Sequence, residues 1–320
     1  MTDLRKLALD YHEFPKPGKL SVESSKPCVT QDDLSLAYTP GVAVPVLEIK
    51  KDPANAYKYT NKGNLIAVIT DGTAVLGLGN TGALASKPVM EGKGVLFKRF
   101  ADIDVFDIEV NAATPDEFIQ TVINISPTFG GINLEDIAAP HCFYIEKELK
   151  KRLDRPVFHD DQHGTAVIVA AALLNALKLQ EKTIDQVKIV FLGAGAAGCS
   201  CAKLLKLMGA KNITMVDRKG IVDKDRKDLH DNNRDLAVQP SNSKTLGDAM
   251  QDADVFIGVS AKNALDASLI NKMAKKPVIF ALANPDPEVL PSVAHAIRDD
   301  IIMATGRSDF PNQVNNCLLY

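Results

Sequence analysis

Two pairs of adjacent carboxylates are the residues of this sequence best suited to chemistry. Asp160 and Asp161 lie in PVFHDDQHGTAV, where the pattern predicts the end of a strand and the start of an apolar helix. An isolated acidic pair at such a position commonly caps the helix and compensates its dipole. Glu135 and Asp136 form a second pair in GGINLEDIAAP, a segment with the glycines and proline of a loop. Three hard oxygen ligands from two loops suit Mg²⁺ or Mn²⁺, which keep coordination positions for substrate and water.

Histidine and cysteine are not predicted to bind a metal. His159 and His163 flank the aspartate pair at i, i+4 spacing, but the nearby carboxylates favour a harder ion than zinc. We therefore interpret both histidines as cleft-wall or capping groups. The cysteines lack zinc-site spacing, and their odd number predicts reduced thiols in a cytoplasmic protein. They are Cys28, Cys142, Cys199, Cys201 and Cys317.

A glycine-rich segment has the features of a dinucleotide-binding fingerprint. GAGAAG follows the apolar run KIVFL, opens a helical pattern, and is followed by a second strand that ends at Asp217. The glycines permit a tight turn and close approach of the pyrophosphate, and the acid accepts from ribose hydroxyls. The predicted cofactor-binding residues are Gly193, Ala194, Gly195, Ala196, Ala197, Gly198 and Asp217. Asp217 favours NAD, but Arg218 and Lys219 offset its charge, so both NAD and NADP are compatible.

A second glycine segment, Gly77–Gly82, also matches the spacing of the fingerprint. Pro88 is predicted to interrupt any helix after it, and no strand ending in an acid follows at the expected distance. We therefore interpret this segment as a turn that brings backbone close to another group. The charged stretch 223–228, DKDRKD, is interpreted as a solvated loop.

The elements that must position these residues form an α/β pattern. Strands alternate with helical segments in the second half, which predicts a doubly wound parallel sheet of the Rossmann type. The predicted strands are 65–70, 105–110, 188–192, 213–217, 254–260, 278–284 and 300–306. A chain of 320 residues commonly forms two domains, and we place the boundary after the charged run that ends at residue 155. The predicted domains are 1–155 and 156–320.

Composition excludes several classes of partner. The chain is 46% hydrophobic and 24% charged with a net charge of −3, so it lacks the basic surface expected of a nucleic-acid-binding protein. The first residues lack the apolar region of a signal peptide. The longest apolar run, 166–174, is too short to cross a membrane. A symmetric homodimer is the expected assembly on general grounds.

Seven segments resemble the malic enzymes, in particular the short bacterial type, and they occur in the family's order through nearly the whole chain. The segments are SLAYTPGVAVP (35–45), TDGTAVLGLGNTGALASKPVMEGKGVLFK (70–98), FGGINLEDI (129–137), PVFHDDQHGTA (156–166), GAGAAG (193–198), ALANPDPE (281–288) and TGRSDFPNQVNN (305–316). The resemblance implies oxidation of malate by NAD(P)⁺ and decarboxylation to pyruvate and CO₂. It also implies that the first domain binds the substrate.

The resemblance assigns the metal site to the carboxylates. It implies that Glu135, Asp136 and Asp161 bind Mg²⁺ or Mn²⁺, and that Asp160 lies beside the catalytic lysine. Such a cation polarises the ketone at C2, and without this electron sink the loss of CO₂ would be slow.

The resemblance also assigns the proton transfers and the substrate contacts. Lys93, in MEGKGVLFK, is expected to contact malate and to take the C2 hydroxyl proton. Tyr38, in AYTPG, is expected to protonate C3. Asn284 is expected to contact substrate and nicotinamide, and Asn315 the malate carboxylate. The glycine segment 77–82 is expected near the nicotinamide.

Two departures from the family pattern bear on these expectations. Ala74 stands where the larger malic enzymes carry an arginine for the malate carboxylate, so another group must hold it. The sequence ends at Tyr320, soon after the last matching segment, and we expect weakened stability and oligomer contacts from a truncated chain. Alternatives are a non-catalytic remnant that binds nucleotide or a partner, and a metal-independent amino-acid dehydrogenase.

Overall fold

The chain forms two β-sheets with helices on their faces, and the computed structural model describes residues 3–75 and 78–318. The strands are β1 Leu65–Thr70, β2 Asp104–Glu109, β3 Gly131–Leu134, β4 Val157–His159, β5 Lys188–Leu192, β6 Asn212–Asp217, β7 Gly220–Ile221, β8 Val255–Gly258, β9 Val278–Ala281 and β10 Ile302–Thr305. The helices are α1 Leu4–Glu13, α2 Gln31–Ala37, α3 Ala43–Lys51, α4 Ala56–Tyr59, α5 Ala83–Ala101, α6 Pro115–Ile125, α7 His141–Arg152, α8 Thr165–Leu179, α9 Ala196–Leu207, α10 Asp231–Arg234, α11 Leu246–Ala249 and α12 Pro291–Ile297. The α/β fold class is confirmed, and each of the seven predicted strands is present, with bounds that differ by up to three residues.

The first sheet has the order β2-β1-β3-β4, and all its strands are parallel. Residues 130–140 were predicted to form a loop, and this prediction is wrong for Gly131–Leu134, which form β3. Residues 135–140, which carry the acidic pair, lie between β3 and α7 outside any strand or helix. The four residues of β3 are all buried, and β3 pairs with β1 on one side and β4 on the other. Tertiary pairing on both edges therefore overrides the low strand propensity of its glycine and asparagine.

Strand β4 belongs to the first sheet, since Ile132 pairs with Val157 and Leu134 with His159. The first sheet therefore continues past residue 155, where we placed the domain boundary, and the boundary itself stays a prediction. A π-helical turn, Asp160–Gly164, then leads directly into α8. Residues 160–179 are long and apolar enough to cross a membrane by length and composition. Ala166, Val169 and Leu173 of this helix are buried in the core of the second sheet, as expected of a core helix.

Helix α5 contains Pro88 in its sixth position and continues to Ala101. The prediction that Pro88 interrupts the helix is therefore wrong. A proline inside a helix costs about 3 kcal/mol because it removes a backbone donor and crowds the preceding turn. Burial of Ser86, Met90 and Gly94 along the face that packs on β1 and β2 offsets this cost.

The second sheet has the order β10-β9-β8-β5-β6-β7, and only β7 is antiparallel. Alternate residues of β5 enter two cores: Ile189 and Phe191 pack with α8 and α9, whereas Val190 packs on the opposite face. The chain proceeds from β5 to β6 on one side and later to β8 on the other. Ligands of doubly wound sheets bind at such a switch point, outside the carboxyl end of the strand.

Residues 3–60, which we call the N-terminal arm, contain α1 to α4 and precede the first sheet. No residue of the arm is buried. The arm contacts the rest of the chain near Lys19, whose backbone N–H donates to Glu91 of α5 at 2.9 Å. Its helices therefore lie outside the three hydrophobic cores.

Candidate active site

The two acidic pairs converge because they follow neighbouring strands. Leu134 of β3 and His159 of β4 are register partners, so the carboxyl ends of these strands meet at one edge. Glu135 and Asp160 come next on each strand. One ligand oxygen from each of Glu135, Asp136 and Asp161 lies within 4.8 Å of the others, and the Asp136 N–H donates to Asp161 at 2.8 Å. Asp136 adopts a left-handed conformation, with φ 53°, that turns the chain sharply after β3.

This donor set fits a divalent cation of the hard class. Glu135 and Asp136 are 1% and 3% exposed, so negative charge is concentrated where water is excluded. Burial raises the pKa of Glu135 well above its usual value, against the lowering effect of the Lys93 ammonium. A bound cation would offset the cost of burying the charged carboxylates and the repulsion between them. Carboxylate oxygens are the ligands that Mg²⁺ and Mn²⁺ prefer.

The histidines lie beside this cluster but outside the group of described residues that can hold a metal. The His163 ring contacts Glu146 of α7 at 2.6 Å. His159 is buried beneath the site, and its Nδ1 lies 3.9 Å from Asp161. Burial lowers the pKa of His159, so the neutral ring is favoured there.

Lys93 projects from the middle of α5 into the carboxylate cluster and is 7% exposed. Its Nζ lies 2.5 Å from Asp160 Oδ2, 3.1 Å from Glu135 Oε1 and 3.3 Å from Asn316 Oδ1. The structure thus brings together the lysine, its predicted aspartate neighbour and the three predicted metal ligands. Asn316 was not singled out in the sequence, although it follows the predicted substrate residue Asn315 directly.

Gly164 is a further residue that the sequence did not reveal as part of the site. A Cβ at this position would lie 2.0 Å from Asp160 Oδ1 and 3.2 Å from the Asn316 Cβ. Its backbone has ordinary helical angles, φ −61° and ψ −47°, so the requirement for glycine is purely one of space. The π-helical turn folds Asp160 back over this glycine, and the sequence contains no signal for such a turn.

The glycine segment after β5 has the geometry of the dinucleotide fingerprint. Gly193 has φ 117°, and a Cβ there would lie 2.6 Å from the Val259 carbonyl oxygen. A Cβ on Gly198 would lie 2.0 Å from the Gly193 carbonyl oxygen, so both positions require glycine. A Cβ on Gly195 would meet nothing within 4 Å, which leaves open space at the start of α9. A cavity of about 930 Å³ begins here and includes Ala194 and Asp217 among its lining residues.

Residues 223–228 were interpreted as a solvated loop, and this interpretation is wrong for Arg226. Its guanidinium binds both carboxylate oxygens of Asp217, at 2.8 and 2.7 Å, and also contacts Asp228 at 3.0 Å. The Arg226 side chain is only 15% exposed. Arg226 therefore neutralises the acid predicted to bind ribose, a role that spacing along the sequence did not predict.

A cleft of about 550 Å³ joins the carboxylate cluster to the glycine segment. Asp136 and Asp161 line one wall, and Ala196, Ala197, Asn284 and Asn315 line others. The Asn284 and Asn315 amides donate to the carbonyls of Leu282 and Gly306 at 3.3 and 3.2 Å. These contacts orient both amides within the cleft.

Glu288, which the sequence did not indicate, binds the backbone of two residues that line this cleft, Ser260 and Ala283. It accepts from the backbone N–H groups of Ser260 and Ala283 at 2.8 and 3.0 Å. Burial raises the pKa of Glu288, and these two donors oppose the shift. The loops after β8 and β9 are thereby tied to one carboxylate.

Tyr38 is a predicted site residue that the structure brings neither to the carboxylate cluster nor to this cleft. It follows α2 in the N-terminal arm, is 68% exposed, and is absent from the described residues that line the cleft. Gly77 lies outside the described residues, so the predicted role of the segment 77–82 is not described by the structure. Ala74, which precedes that segment, does line the cleft.

Two protein-family models match this chain. Residues 17–150 match the family model of the malic enzyme N-terminal domain, and residues 162–320 match that of the malic enzyme NAD binding domain. An NADP-dependent malic enzyme of Haemophilus influenzae is 57% identical over 99% of this chain, and a NAD-dependent malic enzyme of Rhizobium meliloti is 54% identical over 99%. The chain spans 42% of the length of each of these two relatives.

A solved structure agrees in fold as well as sequence. The crystal structure of a NAD-dependent malic enzyme from Thermotoga maritima superposes with a TM-score of 0.90 at 49% identity. The match covers 97% of this chain and 83% of that one. Two family models that together match most of the chain, close relatives and a shared fold lead to one conclusion: this chain belongs to the malic enzyme family.

Proposed function

We propose that this chain oxidises (S)-malate with NAD(P)⁺ and decarboxylates the product to pyruvate and CO₂. The observation that carries the proposal is a buried lysine in contact with a cluster of carboxylates, two of which line a cleft together with residues of the dinucleotide fingerprint. Oxidation of a hydroxy acid requires a base and a hydride acceptor, and loss of CO₂ requires an electron sink. The lysine can act as the base, the carboxylates can hold a cation as the electron sink, and the fingerprint can hold the hydride acceptor.

Each side chain has a role in this scheme. Lys93 Nζ removes the C2 hydroxyl proton, and Asp160, at 2.5 Å from that Nζ, holds the amine in place. Glu135, Asp136 and Asp161 hold Mg²⁺ or Mn²⁺. When bound, the nicotinamide accepts a hydride and the divalent cation polarises the C2 oxygen.

The remaining roles concern orientation and the final proton. The amides of Asn284 and Asn315 lie on the cleft wall and orient the substrate carboxylate and the nicotinamide. Tyr38 protonates C3 after CO₂ has left. Gly195, at the start of α9, allows the pyrophosphate to approach the backbone N–H groups of that helix.

NADP⁺ is the cofactor that the charges of the cavity favour. Arg226 engages both oxygens of Asp217, which removes the repulsion that this acid would exert on a 2′-phosphate. Arg218, Lys219 and Lys244 line the same cavity, so four cations face Asp217 and Asp228 there. Lys244 is paired with Asp223 at 2.8 Å, so the excess is about one positive charge, which suits a phosphate better than a hydroxyl.

The substitution Arg226→Gln tests this preference. Loss of a charge-assisted hydrogen bond costs about 1.5–3 kcal/mol, so the ratio of kcat/KM for NADP⁺ to that for NAD⁺ should fall about 10- to 100-fold. Arg152→Gln is the matched control, because Arg152 pairs with Glu148 at 3.1 Å on α7, away from both cavities. An unchanged ratio in Arg226→Gln would contradict the proposed NADP⁺ preference.

We also propose that the protein is a cytoplasmic homodimer. All five cysteines are free thiols, which supports a reducing compartment. Symmetric pairs are the commonest assembly of soluble enzymes, and the uncovered N-terminal arm supports such a pairing.

The activity is tested by NAD(P)H formation from L-malate, measured with Mn²⁺, with EDTA, and with each cofactor separately. The proposal expects turnover with Mn²⁺ and its loss with EDTA. Asp161→Asn should reproduce the effect of EDTA in a folded protein, because it removes one of three carboxylate ligands. Absence of turnover in folded wild-type protein, with both cofactors and Mn²⁺, would refute the proposed function.

A further inference from the structure

Asn133 is a buried amide on a strand that otherwise carries only glycine and aliphatic residues. It lies in β3 between Ile132 and Leu134 and is 2% exposed. Its register partners are Val68 of β1 and Phe158 of β4, so apolar strand neighbours flank it on both sides. Burial of an amide costs free energy unless hydrogen bonds replace those made with water. The partners of this amide therefore indicate what the residue does.

Within the described part of the chain, the Asn133 side chain makes one hydrogen bond, and that bond goes to a predicted metal ligand. Asn133 Nδ2 donates to Glu135 Oε2 at 3.0 Å. Asn133 Oδ1 is buried and has no hydrogen-bond partner among the residues that the structure describes. An unpartnered buried carbonyl destabilises a fold, so packing alone would favour an aliphatic side chain at this position. The use that the structure makes of the amide is its contact with Glu135.

This contact holds the Glu135 carboxylate in one orientation. The Glu135 N–H donates to the Ile69 carbonyl at 3.0 Å, so the strand geometry continues through Glu135. Side chains alternate along a strand, and Asn133 and Glu135 therefore project from the same face of the first sheet. Asn133 donates to Oε2, while Oε1 lies 3.1 Å from Lys93 Nζ. The carboxylate cannot rotate without breaking one of these two contacts.

We propose that Asn133 is a positioning residue that orients the Glu135 carboxylate for the divalent cation. The inference rests on the proposed function, in which Glu135, Asp136 and Asp161 hold that cation. The two aspartates are tied to each other, because the Asp136 N–H donates to Asp161 at 2.8 Å. Glu135 has a longer side chain with more rotamer freedom to lose, so it is the ligand that most needs an orienting partner. Outer hydrogen bonds of this kind typically contribute about 10- to 100-fold to metal affinity.

An amide suits this task because it donates without a net charge. A cationic donor in the place of Asn133 would repel the divalent ion, whereas the amide leaves the negative charge of the cluster available to it. Leucine has the branching of asparagine and fills a similar space, but it cannot donate. The exchange of asparagine for leucine therefore isolates the hydrogen bond to Glu135.

Asn133→Leu and Asn133→Ala test the assignment through Mn²⁺ binding, measured by calorimetry on the purified protein without malate or nucleotide. Both variants lack the donor, so the Kd for Mn²⁺ should rise about 10- to 100-fold in each. Leucine fills the site and removes the unpartnered carbonyl, whereas alanine leaves a cavity. Metal-free Asn133→Leu should therefore melt at a higher temperature than metal-free Asn133→Ala, although both lose Mn²⁺ affinity. A Kd unchanged from the wild type in either folded variant would overturn the proposal.

Asn233→Leu is the matched control, because it makes the same substitution at another buried asparagine. Asn233 is 7% exposed, lies in α10, and accepts from Cys199 Sγ at 2.8 Å. It is absent from the carboxylate cluster and from the described lining of the cleft. This variant should bind Mn²⁺ as the wild type does. An equal loss of affinity in Asn233→Leu would count against a specific role of Asn133.

Turnover separates failure of this inference from failure of the proposed function. In Asn133→Leu the Mn²⁺ concentration for half-maximal NAD(P)H formation should rise in step with the Kd. The kcat at saturating Mn²⁺ should stay close to that of the wild type, because Lys93 keeps its contact with Asp160. A lower kcat with unchanged Mn²⁺ dependence would contradict the positioning role. Wild-type protein that binds Mn²⁺ without malate turnover would refute the proposed function and leave the role of Asn133 intact, whereas wild-type protein that does not bind Mn²⁺ would overturn both.

Discussion

Gly164→Ala provides the sharpest test of how the fold positions Lys93. The added Cβ would lie 2.0 Å from Asp160 Oδ1 and 3.0 Å from its Cγ, and real Cβ contacts under 3.0 Å are essentially absent. The Asp160 carboxylate must therefore move by about 1 Å or more, because the turn that carries Gly164 is tied to α8. That carboxylate is the group 2.5 Å from Lys93 Nζ.

The expected effect falls on kcat more than on stability. A displacement of about 1 Å in a positioning group can cost on the order of 100-fold in rate, so kcat for malate oxidation should fall by that factor. Overpacking by one methyl group costs about 1–3 kcal/mol, which lowers the melting temperature but leaves the protein folded. The assay is NADPH formation at saturating malate and Mn²⁺, with thermal unfolding measured on the same preparation.

Gly92→Ala is the matched control. Gly92 lies on α5 directly before Lys93, and a Cβ there would meet only Lys19 Nζ, at 3.9 Å. Alanine in a helix interior is favoured over glycine by about 0.5–1 kcal/mol, so this variant should be at least as stable as the wild type and equally active. A folded Gly164→Ala enzyme with kcat within twofold of the wild type would refute the link from Gly164 through Asp160 to Lys93.

Three further variants extend these tests. Lys93→Met should lower kcat about 10²- to 10⁴-fold, the usual contribution of a general base, and activity within tenfold of the wild type would contradict the assigned role. Gly195→Ala should keep its melting temperature, because its Cβ meets nothing within 4 Å, yet titration of nucleotide fluorescence should show at least about tenfold weaker NADP(H) binding where the pyrophosphate approaches. The Arg298 hydrogen bond lowers the pKa of Asp300 from 3.8 to about 2, so this carboxylate stabilises the fold above pH 3.8 and the stabilisation is lost as the pH falls through about 2. Asp300→Asn should therefore melt at a lower temperature than the wild type at pH 5, the difference should shrink toward pH 2, and a difference independent of pH would contradict the pairing.

Several features of the fold and site follow from local sequence. The strands of the second half are apolar runs with turn signals between them, and the structure has them at the predicted places. The segment GAGAAG is readable because it lies within one β-turn-α unit, where the close contact of Gly198 with Gly193 requires a glycine. The acidic pairs stand out because their carboxylates are adjacent in the sequence. The resemblance of the segments around them to one family indicates the chemistry.

Other features depended on which segments become neighbours in space. The sequence showed two acidic pairs, but they converge only because β3 pairs with β4. The segment GGINL has too little strand propensity for this pairing to be predicted from the sequence. Arg226 became part of the cofactor cavity because its chain returns to the end of β6, nine residues after Asp217. Tyr38 matched a family motif, yet nothing in that motif indicates that its side chain lies exposed, outside the cleft. The sequence thus determined the types of groups present and the elements that carry them. Tertiary structure alone decided their distances and partners, because long-range packing, and not local propensity, sets which strand ends and loops meet.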